Sequence, residues 1–378
     1  MLFLKNTLAL SCLFIILFLG DFNLSDIPLA FFILPFLIIV LTVVDLPKFS
    51  KYQLVLLSFI FTLSIFIAYK TIIALHPPGY IYWVLNFCFS LLIAMFLISG
   101  NYFNRFSLKD VFFALGLWLI FIIGGYFGFD DRSGFIFGPN VLYRVFVFFF
   151  LYIVFMTISL YGNSRLWFLI LIPLGFISVI LTQSRAAIPV FIISLFIIFN
   201  LKGQLNKKIF YSLLIFVLGT FFWLINQPVI SDIRILQFDF ESNNSLLLRV
   251  SGYLFFIENF FELIFSAGID YSNFYNNVGD EGYAYPHNLI LELIIYYGFV
   301  GVVIAFIVSK KFIFMCFNEY SGSLKNRFFL SLSALGFLAL QFSGSLADNY
   351  GFLALLLATP IFYSKKHKNK SHVWKLKR

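Results

Sequence analysis

The sequence predicts an all-α, polytopic integral membrane protein of about 12 transmembrane helices, with one long outward-facing loop carrying an interfacial helix. Three observations predict it. The 378-residue chain is 61% hydrophobic and only 11% charged, with a mean hydropathy of +0.97, whereas a soluble domain is close to half apolar and a quarter charged. Apolar runs of spanning length recur from end to end, and the basic residues gather in alternate connections. Large soluble domains are thereby excluded. The net charge of +9, which in a soluble chain would suggest nucleic acid, becomes a question of membrane side.

A helix crossing the hydrocarbon needs about 20 residues. Runs of that order lie at residues 4–20, 27–44, 54–75, 80–99, 108–127 and 141–161, then at 166–182, 186–201, 209–225, 288–309, 328–346 and 350–363. The first is read as an uncleaved helix, because Lys5 is its only n-region charge and Gly20-Asp21 is a poor cleavage site. Pro35, Pro173 and Pro189 inside runs read as helix kinks, and the phenylalanines as lipid-facing bulk. The chain then divides into N-terminal membrane helices (1–126), central membrane helices (127–225), the long loop (226–287), C-terminal membrane helices (288–363) and a basic tail (364–378).

Counted from a cytoplasmic N-terminus, the even-numbered connections and both tails hold Lys5; Lys48 and Lys51; Arg105 and Lys109; Arg165; Lys202, Lys207 and Lys208; Lys310, Lys311, Lys325 and Arg327; and Lys365, Lys366, Lys368, Lys370, Lys375, Lys377 and Arg378. Only Lys70, Arg132, Arg144, Arg185, Arg234 and Arg249 remain of the 26 basic residues. Lys and Arg stay on the cytoplasmic side of short loops, so both termini are expected in the cytoplasm. Lys70 can snorkel from its helix end, which leaves the outward loops with arginines and no lysine. Most outward connections are a few residues long, with two exceptions: residues 128–140, and residues 226–287, whose length is uncommon unless functional. Within it, residues 246–265 are apolar but interrupted by Arg249, Gly252, Glu258, Asn259 and Glu262, which suits a helix at the outer interface better than a span.

Candidate chemistry lies on that outward side. His287 stands where the long loop ends and an apolar helix begins, in Tyr285-Pro286-His287-Asn288. The positive end of a helix macrodipole disfavours imidazolium, which leaves a neutral ring able to accept a proton. The plainer alternative is that Asn288 caps the helix and His287 is a surface residue. Arg185 occupies the tight turn Thr182-Gln183-Ser184-Arg185-Ala186, Arg249 the start of the loop helix, and Arg144 the first turn after Gly138-Pro139-Asn140. One such arginine is most simply a headgroup anchor; several, with planar forks that grip phosphate bidentately, suit a site for a phosphate or pyrophosphate. Asp130-Asp131-Arg132 reads as a solvated loop tip. Cys12, Cys88 and Cys316 share no metal or redox spacing, so neither a disulfide scaffold nor a metal cluster is expected from them.

These motifs resemble the O-antigen ligase and O-antigen polymerase superfamily of bacterial inner-membrane glycosyltransferases. The resemblance rests on Phe137-Gly138-Pro139-Asn140 with Tyr143-Arg144; on Thr182 to Ala186; on Arg249 followed by Ala267-Gly268-Ile269; and on Pro286-His287-Asn288 with Leu291-Glu292, Gly298 and Gly301. It implies a site that opens to the periplasm beneath the long loop, a glycan donor on undecaprenyl pyrophosphate, and an enzyme that needs no metal or other cofactor. By the same resemblance Arg185 and Arg249 bind the pyrophosphate and His287 activates the acceptor hydroxyl, with Arg144, Asn140 and Asn288 as further substrate-binding candidates. Expected partners are the lipid-linked oligosaccharide, an acceptor glycan, membrane lipids and a chain-length regulator protein, with no nucleic acid.

The expected activity is that of an O-antigen polymerase, joining one lipid-linked repeat unit to another by metal-independent, inverting transfer. The alternatives are a ligase acting on lipid A core and, from another class, a flippase for lipid-linked oligosaccharides. Transporters commonly show repeated halves and midplane charges, whereas here the polar residues gather at the outer edge.

Overall fold

The structure is a computed structural model and describes residues 2–18, 23–24, 27–45, 79–127, 138–161, 165–182, 184, 186–199, 244–266, 268, 288–318, 324–342 and 349–359, with 54–55, 58, 61–62, 215 and 219 besides. Expected runs 54–75 and 209–225 and the basic tail thus lie largely or wholly outside the described residues. In chain order the elements are α1 (Leu2–Phe18), β1 (Asn23–Leu24), β2 (Ile27–Pro28), α2 (Leu29–Val44), α3 (Gly79–Ser99), α4 (Leu108–Phe127), α5 (Gly138–Tyr161), α6 (Arg165–Leu181) and α7 (Ala187–Phe199). Then come α8 (Asn244–Glu258), α9 (Phe260–Phe265), α10 (Leu289–Asn318), α11 (Leu324–Phe342) and α12 (Tyr350–Thr359). The β pair is antiparallel, Asn23 opposite Pro28 and Leu24 opposite Ile27. Among the described residues two helices are long and apolar enough to cross a membrane, Asn140–Tyr161 and Leu289–Lys310, each 22 residues.

The chain separates into two compact units, one of residues 1–7, 103–246 and 316–343, the other of 8–102, 247–315 and 344–378. In the first, α5 is the central helix, packed against α4, α6, α7 and α11, and 94% of its apolar window is buried. Phe146, Phe148, Phe149 and Phe150 are all interior. For the rings of α5 this corrects the reading of phenylalanine as lipid-facing bulk, whereas others, such as Phe36, Phe112 and Phe306, are exposed; among lipid tails apolarity alone drives no helix association, so rings that interlock do that work. Gly175 on α6 makes the room, since a Cβ there would press on the rings of Phe150 and Phe191, which meet at 4.9 Å.

The opposite end of α5 closes on a second aromatic cluster, where Phe155 stacks on Phe328 at 4.9 Å and Phe103 meets Tyr152 and Phe328 edge-on. Beside it, Asn6 Nδ2 donates to the Arg105 carbonyl at 2.9 Å. Pro173 sits inside α6 as a kink site. Pro189, also expected to kink a span, instead falls in the first turn of α7, where its missing N–H would have had no intrahelical partner.

In the second unit α2 packs along α3, and the Asn101 amide donates to Asp45 Oδ2 at 2.9 Å. Gly351 of α12 lies directly against the Ile16 carbonyl of α1, with Phe18 and Phe352 in edge contact nearby at 5.7 Å. The expected single span over 288–309 needs correction. Its length and apolarity suffice, but Gly298 has φ 52 and ψ −130, which breaks α10 into a short arm up to Tyr297 and a longer one from Phe299. Residues eight apart in a straight helix are separated by about 12 Å, yet Gly301 lies against the Leu293 carbonyl, so the two arms fold back on each other.

Candidate active site

In the first unit the chemistry-bearing residues meet at the start of α5. Ser184 Oγ donates to Asn140 Oδ1 at 3.0 Å, which ties the α6–α7 turn to the Gly138-Pro139-Asn140 helix start. The turn is fixed on both sides of Arg185. Thr182 Oγ1 donates to the Val179 carbonyl at 2.7 Å and accepts from the Ser184 amide at 3.3 Å, while the Ser184 carbonyl accepts from the Ala187 amide at 3.0 Å and so opens α7. Gln183 and Arg185 themselves lie outside the described residues. Arg144 follows Asn140 by four residues and shares its helix face. Asn140 is exposed, whereas Arg144 is only 4% exposed, with its guanidinium carbon 5.7 Å from the Tyr143 ring centre. Its side chain is therefore enclosed by protein, unlike that of an arginine anchored among lipid headgroups.

In the second unit the long loop delivers two helices to the start of α10. The expected interfacial segment forms α8 and α9, parted at Asn259, whose Nδ2 donates to the Phe255 carbonyl at 2.9 Å; a local side-chain bond of this kind loosens a helix. Leu263 of α9 is buried against Leu291, Ile294 and Ile295 of the short arm of α10. Val250, Leu254, Ile257, Phe261 and Phe265 are exposed, and their spacing lines them on one face.

Two polar links hold this packing in register. At one end Asn288 Nδ2 donates to the Tyr253 hydroxyl at 3.2 Å. At the other the Phe299 amide donates to the Ser266 carbonyl at 3.2 Å, and Gly268, with φ 90, lets the chain pass against the Tyr296 carbonyl. Asn288 also caps α10: its Oδ1 accepts from the Ile290 and Leu291 amides at 3.0 and 3.1 Å, two of the four donors a helix start leaves open. Arg249 sits on α8 one turn before Tyr253. His287 lies outside the described residues, but the peptide bond places it immediately before Asn288.

The structure therefore brings Asn140 to the Arg185 turn, and the helix bearing Arg249 to the residue that follows His287. These two groupings belong to different units. Sequence reasoning missed Tyr253 and Ser266 altogether and quoted Ser184 only within a motif. Tyr253 carried a signal, its place four residues after Arg249 on one helix face. Ser266 carried none, because its role depends on a helix break 32 residues later. Among the described residues no three His, Cys, Asp or Glu side chains gather as metal ligands would.

Residues 168–306 match a family model described as O-antigen ligase, which supports a place in the O-antigen ligase and polymerase superfamily. The matched segment contains Arg185, Arg249, His287 and Asn288 and stops short of Asn140 and Arg144. That family is one of inner-membrane, glycosyltransferase-like enzymes of lipopolysaccharide biosynthesis. No curated protein and no solved structure matches the chain.

Proposed function

Proceeding from that match, we propose that this chain is an O-antigen polymerase, which moves a glycan from undecaprenyl pyrophosphate to a hydroxyl of another lipid-linked repeat unit at the periplasmic face of the inner membrane. The observation that carries the reading is the seating of α8 on the start of α10 through Tyr253 and Asn288, inside the matched segment. It joins the arginine-bearing helix to the residue after the histidine, as a site that grips an anion and activates an alcohol requires.

Topology agrees with the reading. Helix ends that the distribution of Lys and Arg assigns to the cytoplasm meet one another, as Asn6 meets Arg105 and Phe103 meets Phe328. Ends assigned to the periplasm meet likewise, as Asn140 meets Ser184. The exposed apolar face from Val250 to Phe265 suits a helix pair resting in the outer leaflet boundary.

The chemistry follows from the leaving group. As the acceptor oxygen bonds to the anomeric carbon, the bond from that carbon to the pyrophosphate oxygen breaks and undecaprenyl pyrophosphate departs as an anion. It needs charge neutralisation more than a proton. Arg185 and Arg249 supply charge-assisted hydrogen bonds worth about 1.5–3 kcal/mol each, and His287 takes the acceptor hydroxyl proton, a contribution of about 10²- to 10⁴-fold. No metal ion enters this scheme.

The polymerase is preferred to the ligase because the Gly138 to Arg144 segment resembles polymerases of the superfamily. An envelope polysaccharide gel of a deletion strain separates the two: core bearing a single repeat unit identifies a polymerase, and bare core with polymer left on its lipid carrier identifies a ligase. Complementation with His287→Ala and Arg249→Ala then tests the site, since both should abolish polymer while protein level holds. A flippase would tolerate loss of the histidine.

A further inference from the structure

The link between Tyr253 and Asn288 does something that the helix cap does not need. Both capping bonds of Asn288 come from Oδ1, so α10 would start equally well with a serine at this position. Because Oδ1 faces the two backbone amides, the atom turned toward α8 is Nδ2, a donor, and the Tyr253 oxygen accepts from it. Folding of the helix pair does not depend on this bond either. Leu263 is buried among Leu291, Ile294 and Ile295, and the Ser266–Phe299 bond clasps the far end. Tyr253 is itself 44% exposed, so its hydroxyl adds little to the core.

What the bond does fix is register. Arg249 precedes Tyr253 by one turn on the same face of α8, about 6 Å along the axis. Asn288 is joined to His287 by a single peptide bond. We propose that Tyr253 is a positioning residue for glycan transfer: by holding Asn288, it sets the turn of α8 that carries Arg249 against the peptide that carries His287. The helix that carries Arg249 and the chain that leads to His287 are thereby tied at one point, Tyr253 on Asn288. This rests on the roles proposed above for Arg249 and His287.

The test uses the full-length protein in lipid nanodiscs with lipid-linked repeat units as substrate, and undecaprenyl pyrophosphate alone as the binding probe. Tyr253→Phe keeps the ring and removes the acceptor. Small misplacements of reacting groups lower rates steeply, so turnover should fall about 10- to 100-fold. Affinity for undecaprenyl pyrophosphate should stay within about twofold, because the arginines are untouched, and the melting temperature should not move. Asn288→Ser caps the helix but cannot reach Tyr253, so it should lose turnover to the same extent, and the double variant should lose no more than either single one.

Wild-type turnover in Tyr253→Phe, additive losses in the double variant, or a turnover loss matched by weaker probe binding or a lower melting temperature would overturn the proposal. Failure of Tyr253→Phe to accumulate would count against it too, as the mark of a purely structural role. If Arg249→Ala and His287→Ala remain active, the functional reading itself fails. If those two are inactive while Tyr253→Phe is not, only the positioning role falls.

Discussion

The Ser266 carbonyl occupies the space that a Cβ at Gly298 would need, and it accepts a hydrogen bond from the next amide, Phe299, at 3.2 Å. Gly298 also has φ +52, a conformation that side chains rarely adopt. Strain of that kind costs about 1–3 kcal/mol before the steric contact is added. Gly298→Ala should therefore lower the amount of protein in the membrane fraction sharply. A methyl group on Gly116 of α4 would meet nothing within 4 Å, so Gly116→Ala should instead gain about 0.5–1 kcal/mol from helix propensity. Equal melting temperatures for the two variants would show that the Gly298 break does not constrain the fold.

Ser184 and Asn140 make a second such test. Their bond spans 44 residues of sequence at 3.0 Å and ties down the residue that precedes Arg185 in the chain. Ser184→Ala removes the donor and leaves both backbone bonds of the turn in place. Its stability should drop by about 0.5–1.5 kcal/mol, the usual net worth of one hydrogen bond, while polymer formation falls further than that loss of folded protein explains. Polymer yield that simply follows protein level would confine Ser184 to structure.

How much of this was legible in the sequence depends on whether a feature is local. The α8–α9 segment could be read from apolar spacing interrupted by Glu258, Asn259 and Glu262, and Asn288 could be read as a helix cap from its place before an apolar run. The burial of Arg144 could not be read, because it reflects what packs around α5 and not its own turn. The break at Gly298 was hidden for the same reason. A glycine in an apolar run is compatible with a straight helix, and only Ser266, far away in sequence, shows why the chain bends there. The phenylalanines of α5 look lipid-facing by composition and turn out interior because α5 is enclosed by other helices.

Acidification provides a third prediction. His287 as acceptor-side base works only when uncharged, so polymer formation should decline as pH is lowered through the imidazole titration and hold level above it. The sign follows from the role: protonation removes the lone pair that takes the hydroxyl proton. His287→Ala should be slow at every pH and should lack the acid limb. An acid limb that persists in that variant would assign the titration to another group, and the base role would move with it.

Stereochemistry tests the scheme most directly. Holding the lipid pyrophosphate with arginines and activating the acceptor with one base leaves no enzyme nucleophile, so the acceptor oxygen must attack from the face opposite the departing phosphate. Double-displacement enzymes place a second carboxylate beside the anomeric carbon and retain its configuration; the scheme here assigns none of the loop's Asp and Glu residues to that place. The linkage made between repeat units should therefore have the anomeric configuration opposite to that of the sugar on undecaprenyl pyrophosphate. Carbon–hydrogen coupling at the anomeric position, measured by NMR on the donor and on the polymer, gives both assignments. The same configuration in each would require a covalent glycosyl-enzyme and a nucleophilic side chain, which Arg185, Arg249 and His287 in the roles proposed do not supply.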